Sequence, residues 1–172
     1  MEWGAATRDT KIVSFVAPLL IGVLGAVVLV APFRFFEGAA PTPLIPLIVV
    51  FFWTLYEPPA LPAFSVFAIG LAQDLMTGSP VGLWAMGYLI VYAAVLSQRQ
   101  FLVGRSFAAT WVGFISAALL AGAVIWIGVS LIYGAFVGFG PLLLQLAVTA
   151  LCNPIVARGF AYVQTRLAEE GD

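Results

Sequence analysis

The chain contains 172 residues, of which 63% are hydrophobic and only 9% are charged, and its formal net charge is −1. A soluble globular domain is about 45–50% apolar, so this composition predicts an integral membrane protein. The few basic residues are scattered along the chain, which excludes the continuous basic surface that binding to nucleic acid requires.

The residue types that carry most enzymatic chemistry are missing from the sequence. The chain has no histidine and a single cysteine, Cys152, so it lacks the commonest general base, the commonest metal ligand and any internal disulfide. A phosphate-binding Walker A sequence and acidic clusters with metal-ligand spacing are also absent. We therefore predict a protein that is not an enzyme and that uses no metal or other cofactor.

The first membrane helix is predicted over about residues 12–32. Between Lys11 and Arg34 lie 22 residues without charge, and about 20 apolar residues suffice to cross a bilayer. Gly22 and Ala26 lie four residues apart on this helix, a spacing that lets another helix approach closely. Packing within the chain and docking of a partner helix both explain this pair of small residues.

The second and third helices are predicted over about residues 44–56 and 60–76. They are separated by Pro58 and Pro59, because proline cannot continue a helix. Trp53, near the end of the second helix, suits the level of the lipid headgroups, where amphipathic aromatic rings collect.

The sequence GLAQDLMTGSPVG, residues 70–82, predicts the tip of a helical hairpin. Gly78 interrupts the third helix, and a fourth helix is predicted over about residues 81–97. Ser79 suits the N-cap of that helix and Pro80 suits its first position.

Asp74 is a charged side chain placed inside a long apolar region, in the last turn of the third helix. The helix macrodipole disfavours an anion at this end, so the carboxylate needs compensating donors. The free N–H groups at the start of the fourth helix, and Arg34 on the same side of the membrane, are the candidates. A proton relay or a substrate counter-ion is the functional alternative, but the sequence offers no second buried carboxylate or histidine to exchange a proton.

The remaining chain predicts two further crossings. Residues 106–157 carry no charge, and a helix of that length would exceed twice the ~30 Å hydrocarbon core. Glycines before residue 141 mark the break, so helices are predicted over about residues 107–133 and 141–167. Pro154 predicts a kink in the last helix. Asn153 is a candidate either to bond the carbonyl group that this proline frees or to bond a neighbouring helix.

Six crossings place both chain termini on the same side of the membrane, and the basic residues predict which side. The basic residues on the terminal side are Arg8, Lys11, Arg99, Arg105, Arg158 and Arg166, and only Arg34 falls on the opposite side. By the positive-inside rule, both termini are cytoplasmic. Arg99, Arg105, Arg158 and Arg166 are predicted mainly to set this orientation and to meet anionic lipid.

Three segments carry a family resemblance: TPLIPLIVVFFWTLYEPP, FAIGLAQDLMTGSPVGLWAM, and NPIVARGFAYVQTRL after a basic loop. The matching positions, with Pro80 of the hairpin turn, are Pro43, Trp53, Pro58, Gly70, Asp74, Gly78, Gly82 and Pro154. In these positions the chain resembles the MreD family of bacterial rod shape-determining proteins. The resemblance covers most of the chain and is sharpest over residues 70–82.

The resemblance implies an all-α, polytopic protein of the bacterial inner membrane, with six transmembrane helices in one domain. It implies a non-enzymatic scaffold subunit of the rod (elongation) complex, required for cell shape and lateral peptidoglycan synthesis. The partners it implies are MreC, the actin-like MreB, and the RodA glycosyltransferase with its transpeptidase partner.

The same family is similar in fold to the substrate-binding components of energy-coupling-factor vitamin transporters. Uptake of a small molecule is therefore the alternative function. A vitamin pocket needs several convergent polar groups, and on the external side the sequence offers few beyond Asp74, Gln73, Thr77 and the Trp84 ring. This scarcity favours the scaffold.

Overall fold

A computed structural model describes the backbone of residues 3–30, 42–134 and 138–169, and the side chains of residues 16–29, 42–134 and 138–154. In these residues the chain forms six α-helices and no β-strand. The helices are α1 (Trp3–Val30), α2 (Ile45–Tyr56), α3 (Ala63–Thr77), α4 (Leu83–Leu102), α5 (Phe107–Tyr133) and α6 (Gly140–Glu169), with a 3-10 turn at Pro58–Ala60. The prediction of an all-helical fold is confirmed.

Where the helix bounds differ from those predicted, the differences have physical causes. α1 begins at Trp3 rather than near residue 12, because charged residues end an apolar run without ending a helix. α3 begins at Ala63 because the preceding prolines form the separate 3-10 turn. α4 continues to Leu102, since Gln and Arg are good helix formers, so Arg99 lies in a helix and not in the predicted loop.

α2 is the central helix of the bundle. It contacts each of the other five α-helices, and nine of its twelve residues are buried. A helix that is apolar on every side is stable only when it is surrounded. Twelve residues rise only about 18 Å, which is less than the hydrocarbon thickness of ~30 Å. Other helices of the same chain therefore cover most of the surface of α2.

The outer faces of the bundle are apolar. Among the described residues, Phe107–Tyr133 is the helix that is long and apolar enough to cross a membrane by itself. Shorter apolar segments are Val16–Leu29, Ile45–Tyr56, Ala63–Thr77 and Gly140–Pro154. Large apolar side chains are nevertheless exposed around the bundle, with Leu24, Phe64 and Leu131 at 60%, 75% and 77% exposure. Apolar exposure on this scale is typical of a surface that faces lipid or a partner.

The small-residue pair of α1 lies inside the bundle. Gly22 and Ala26 are both buried, and a Cβ added to Gly22 would lie 2.9 Å from Cγ1 of Ile69 in α3. A Cβ added to Gly25 would lie 2.7 Å from Cγ2 of Ile45 in α2. The sequence left two explanations open for these small residues, packing within the chain and docking of a partner helix. The contacts with Ile69 and Ile45 are those of packing within the chain.

Candidate functional site

The predicted hairpin joins α3 to α4 through the turn at residues 78–82. Gly78 and Gly82 have φ angles of 67° and 95°, a left-handed conformation that glycine adopts without steric cost. The roles predicted for Ser79 and Pro80 as N-cap and first helical residue are wrong, because α4 begins at Leu83 with Gly82 before it. The N–H of Gly82, which a Ser79 cap could have bonded, donates instead to another side chain.

That side chain is Asp74, which is fully buried, at 0% exposure. Its Oδ1 accepts hydrogen bonds from the hydroxyl of Ser79 at 2.7 Å and from the N–H of Trp84 at 3.0 Å. Its Oδ2 accepts from the N–H of Gly82 at 2.9 Å and from that of Ala85 at 3.5 Å. The carboxylate of α3 thus caps the N-terminus of α4, where free N–H groups and the macrodipole favour an anion.

The bond that the sequence predicts between Asp74 and the start of the fourth helix is therefore present. Gly82, where the start of that helix was predicted, is one of its donors, and Trp84 and Ala85 are further donors because α4 begins later than predicted. The second predicted donor, Arg34, lies outside the described residues.

Gly70 brings α3 close enough to α4 for this cap to form. A Cβ added to Gly70 would lie 2.6 Å from the backbone nitrogen of Ala85, and closer still to its Cα, and 2.9 Å from the carbonyl carbon of Trp84. The two helix backbones therefore touch at this point. Asp74 follows four residues later on the same face of α3, which places its carboxylate against the first turn of α4.

The other polar groups suggested for an external pocket also bond or pack within the fold. The Tyr88 hydroxyl donates to the side-chain oxygen of Gln73, and both residues are buried. The Trp84 ring is buried beside Tyr88, with 5.6 Å between the ring centroids. The Thr77 hydroxyl donates to the backbone oxygen of Gln73 at 2.8 Å. Contacts within the chain therefore occupy the side chains that a vitamin pocket would have needed.

Arg99 caps the end of α2. Its Nε donates to the carbonyl oxygen of Leu55 at 2.7 Å, and its Nη2 donates to that of Tyr56 at 3.4 Å. If α2 continued, the Leu55 carbonyl would accept the N–H of residue 59, but Pro59 has none. Only orientation and contact with lipid were predicted for Arg99, and this contact with α2 was not. The sequence did contain a signal for this contact. A proline leaves a carbonyl at the end of the helix without its N–H partner, and an arginine carries five N–H donors that could replace it.

A second carbonyl freed by proline has a partner on a neighbouring helix. Pro154 lies inside α6 and cannot donate to the carbonyl of Ala150, four residues earlier. The indole N–H of Trp111, in α5, donates to that oxygen at 3.1 Å. Asn153, the candidate from the sequence, does not fill this role, and its buried Oδ1 has no partner within the described residues.

α6 also secures the start of α2. The Thr149 hydroxyl accepts the N–H of Leu44 at 2.9 Å, and the Gln145 amide donates to the carbonyl of Thr42 at 3.2 Å. Two polar side chains within α6 therefore bond to the backbone that leads into α2. Pro43 lies between the two anchored residues.

The remaining predicted residues do not join the Asp74 cap. Trp53 is half-buried and packs against the core, and Pro58 opens the 3-10 turn. Arg105 is exposed in the α4–α5 connection. Arg158 and Arg166 lie on the backbone of α6, and their side chains fall outside those that the structure describes.

We expect Arg99→Gln to lower the free energy of unfolding by about 2 kcal/mol, because it removes charged donors from two carbonyl groups. Thermal melting in detergent measures this loss. Arg105→Gln is the matched control, since it removes an exposed charge and is expected to melt like the unchanged chain. Arg99→Lys keeps the charge but loses the planar fork of donors. Full stability of Arg99→Lys would show that charge alone matters at this position.

One family model matches the chain over residues 9–161, and its description is rod shape-determining protein MreD. The match runs from within α1 to within α6 and includes the Asp74 cap, Arg99 and Pro154. No curated protein and no solved structure matches the chain.

Proposed function

The chain belongs to the MreD family of rod shape-determining membrane proteins, and we propose that it is a non-enzymatic scaffold subunit of the rod (elongation) complex. The observation that supports this role is the state of Asp74. Its carboxylate is fully buried and accepts four hydrogen bonds from its own chain. A group held in this way joins two helices and is not available to exchange protons or to bind a substrate cation.

The partners that we propose follow from the family. They are MreC, MreB, and RodA with its transpeptidase partner. Together with these proteins the chain would support cell shape and lateral peptidoglycan synthesis. The apolar outer faces, which carry Leu24, Phe64 and Leu131, supply surface on which membrane helices of such partners can pack.

We further propose six membrane crossings in a single domain, with both termini in the cytoplasm. The contacts between the start of α2 and α6 support an odd number of crossings between these two helices, which α3, α4 and α5 would supply. Thr42 lies near Gln145 and Leu44 lies near Thr149, so the two segments run in the same direction. The excess of basic residues on the terminal side supports the cytoplasmic location of the ends.

The topology is tested by fusing a reporter to either end of the full chain in a bacterial inner membrane. We expect green fluorescent protein to fluoresce at both the N-terminus and the C-terminus, and alkaline phosphatase to be inactive at both. A fusion of each reporter to a known periplasmic terminus is the control. Active phosphatase at one end only would contradict an even number of crossings.

The scaffold is tested by purifying the affinity-tagged chain in mild detergent after co-expression with MreC. We expect MreC to coelute with the tagged chain, and not with an unrelated tagged membrane protein of similar size. Small molecules released from the same preparation by heat are identified by mass spectrometry. A stoichiometric vitamin, without MreC, would replace the scaffold with the uptake alternative.

A further inference from the structure

A groove lies between α4 and α5, near the end of α4 that is opposite to the Asp74 cap. Its volume is about 90 Å³, and it opens to the outside of the bundle. Val95 and Ala117 form its floor and are buried, whereas Gln98 and Ser116 stand at its exposed rim. Small side chains line part of the groove, so the side chains of α4 and α5 do not fill the space between the two helices.

The groove runs along the helix axes. One end lies at Leu102 and Gly113, beside the α4–α5 connection, and the other lies at Ala94 and Leu120, deeper in the bundle. Eight residues of α4 separate the two ends, which corresponds to about 12 Å. The groove is therefore elongated, with apolar side chains along most of its lining, and it runs from the end of the bundle towards its middle.

A basic residue lies next to the outer end of the groove. The N–H of Arg105 donates to the carbonyl of Leu102 at 3.3 Å, and Arg105 is exposed. No aspartate or glutamate occurs in the sequence from Leu75 to Ala168. An anionic group next to the groove would therefore meet this cation without competition from acidic residues of α4 or α5.

We propose that this groove holds one acyl chain of an anionic phospholipid, with its phosphate at Arg105. A volume of about 90 Å³ is far too small for a helix, whose diameter is about 10 Å with side chains, whereas an acyl chain is thin and unbranched and can lie along the groove. The proposal requires that the α4–α5 hairpin lies in a bilayer, and it is independent of the scaffold role.

The test uses the full chain, purified in detergent with equal amounts of dioleoyl phosphatidylglycerol and dioleoyl phosphatidylethanolamine. Native mass spectrometry counts the lipids that stay bound. We expect the unchanged chain to retain one phosphatidylglycerol in preference to phosphatidylethanolamine. Arg105→Gln should lower that preference about fivefold, the effect of one surface cation on an anionic lipid.

Two further variants separate the groove from the general lipid surface. Ala94→Phe fills the groove and should abolish retention of both lipids. Ala93→Phe places the same ring on the exposed neighbouring position, outside the groove, and should retain lipid like the unchanged chain. Equal retention by the two phenylalanine variants, or an unchanged lipid preference in Arg105→Gln, would overturn the proposal.

A photo-crosslinking residue at Gln98 in whole membranes identifies the occupant directly. We expect adducts with the mass of a phospholipid. An adduct with the mass of a protein would overturn the proposal and assign the groove to a partner instead.

Discussion

Replacing Gly70 with alanine is expected to destabilise the bundle by about 3 kcal/mol, the upper end of the cost of overpacking. The added methyl group would meet the backbone of Ala85, 2.6 Å away at the nitrogen, and not a side chain that can rotate. α3 and α4 would have to move apart, which also lengthens the hydrogen bonds from α4 to Asp74. Denaturation in increasing fractions of sodium dodecyl sulfate, followed by circular dichroism, measures the loss.

Gly140→Ala is the matched control for this change. Gly140 opens α6, and an added Cβ there would meet no atom within 4 Å. We expect its stability to stay close to that of the unchanged chain. If Gly70→Ala were as stable as Gly140→Ala, the close contact between the backbones of α3 and α4 would be refuted.

Asp74→Leu is expected to cost about 4 kcal/mol, because it leaves the N–H groups at the start of α4 and the Ser79 hydroxyl without their acceptor. Asp74→Asn should cost roughly half as much. Its oxygen can still accept one pair of bonds, but its amide nitrogen would face the N–H groups that Oδ2 now accepts, from Gly82 and Ala85. Thermal stability and the amount of protein in the membrane should both follow the order Asp, Asn, Leu.

Leu75→Ala is the control for Asp74, since Leu75 is the next residue and is 67% exposed. It should leave stability and membrane level unchanged. A proton relay predicts a different pattern, in which Asp74→Asn abolishes function while the protein keeps full stability. That result would assign Asp74 a chemical role in place of the structural role of capping α4.

The sequence predicted the parts of this fold that depend on local patterns. Uninterrupted apolar runs predicted the helices, and Gly78 predicted the break between α3 and α4. Asp74 and its place at the next helix were predicted because a buried charge needs a partner, and the nearest donors were close in sequence. The error in the turn arose because a side chain eight or more residues away replaced the local cap that Ser79 offered.

The hydrogen bonds that were not predicted join residues far apart in the chain. Arg99 is 44 residues from Leu55, and Trp111 is 39 residues from Ala150. A proline shows which carbonyl loses its partner, but it does not show which helix will pass nearby. Helix packing decides that question, and no pattern within one helix encodes it.

The enclosure of α2 constrains the order in which the protein can be assembled during synthesis. α2 is about 18 Å long, too short for stable insertion as an independent segment. Its first turn is anchored by Thr149, a residue that the ribosome adds about a hundred residues later. The hydrogen bond at the start of α2 can therefore form only after α6 has been synthesised, so the surroundings of the second helix are completed last.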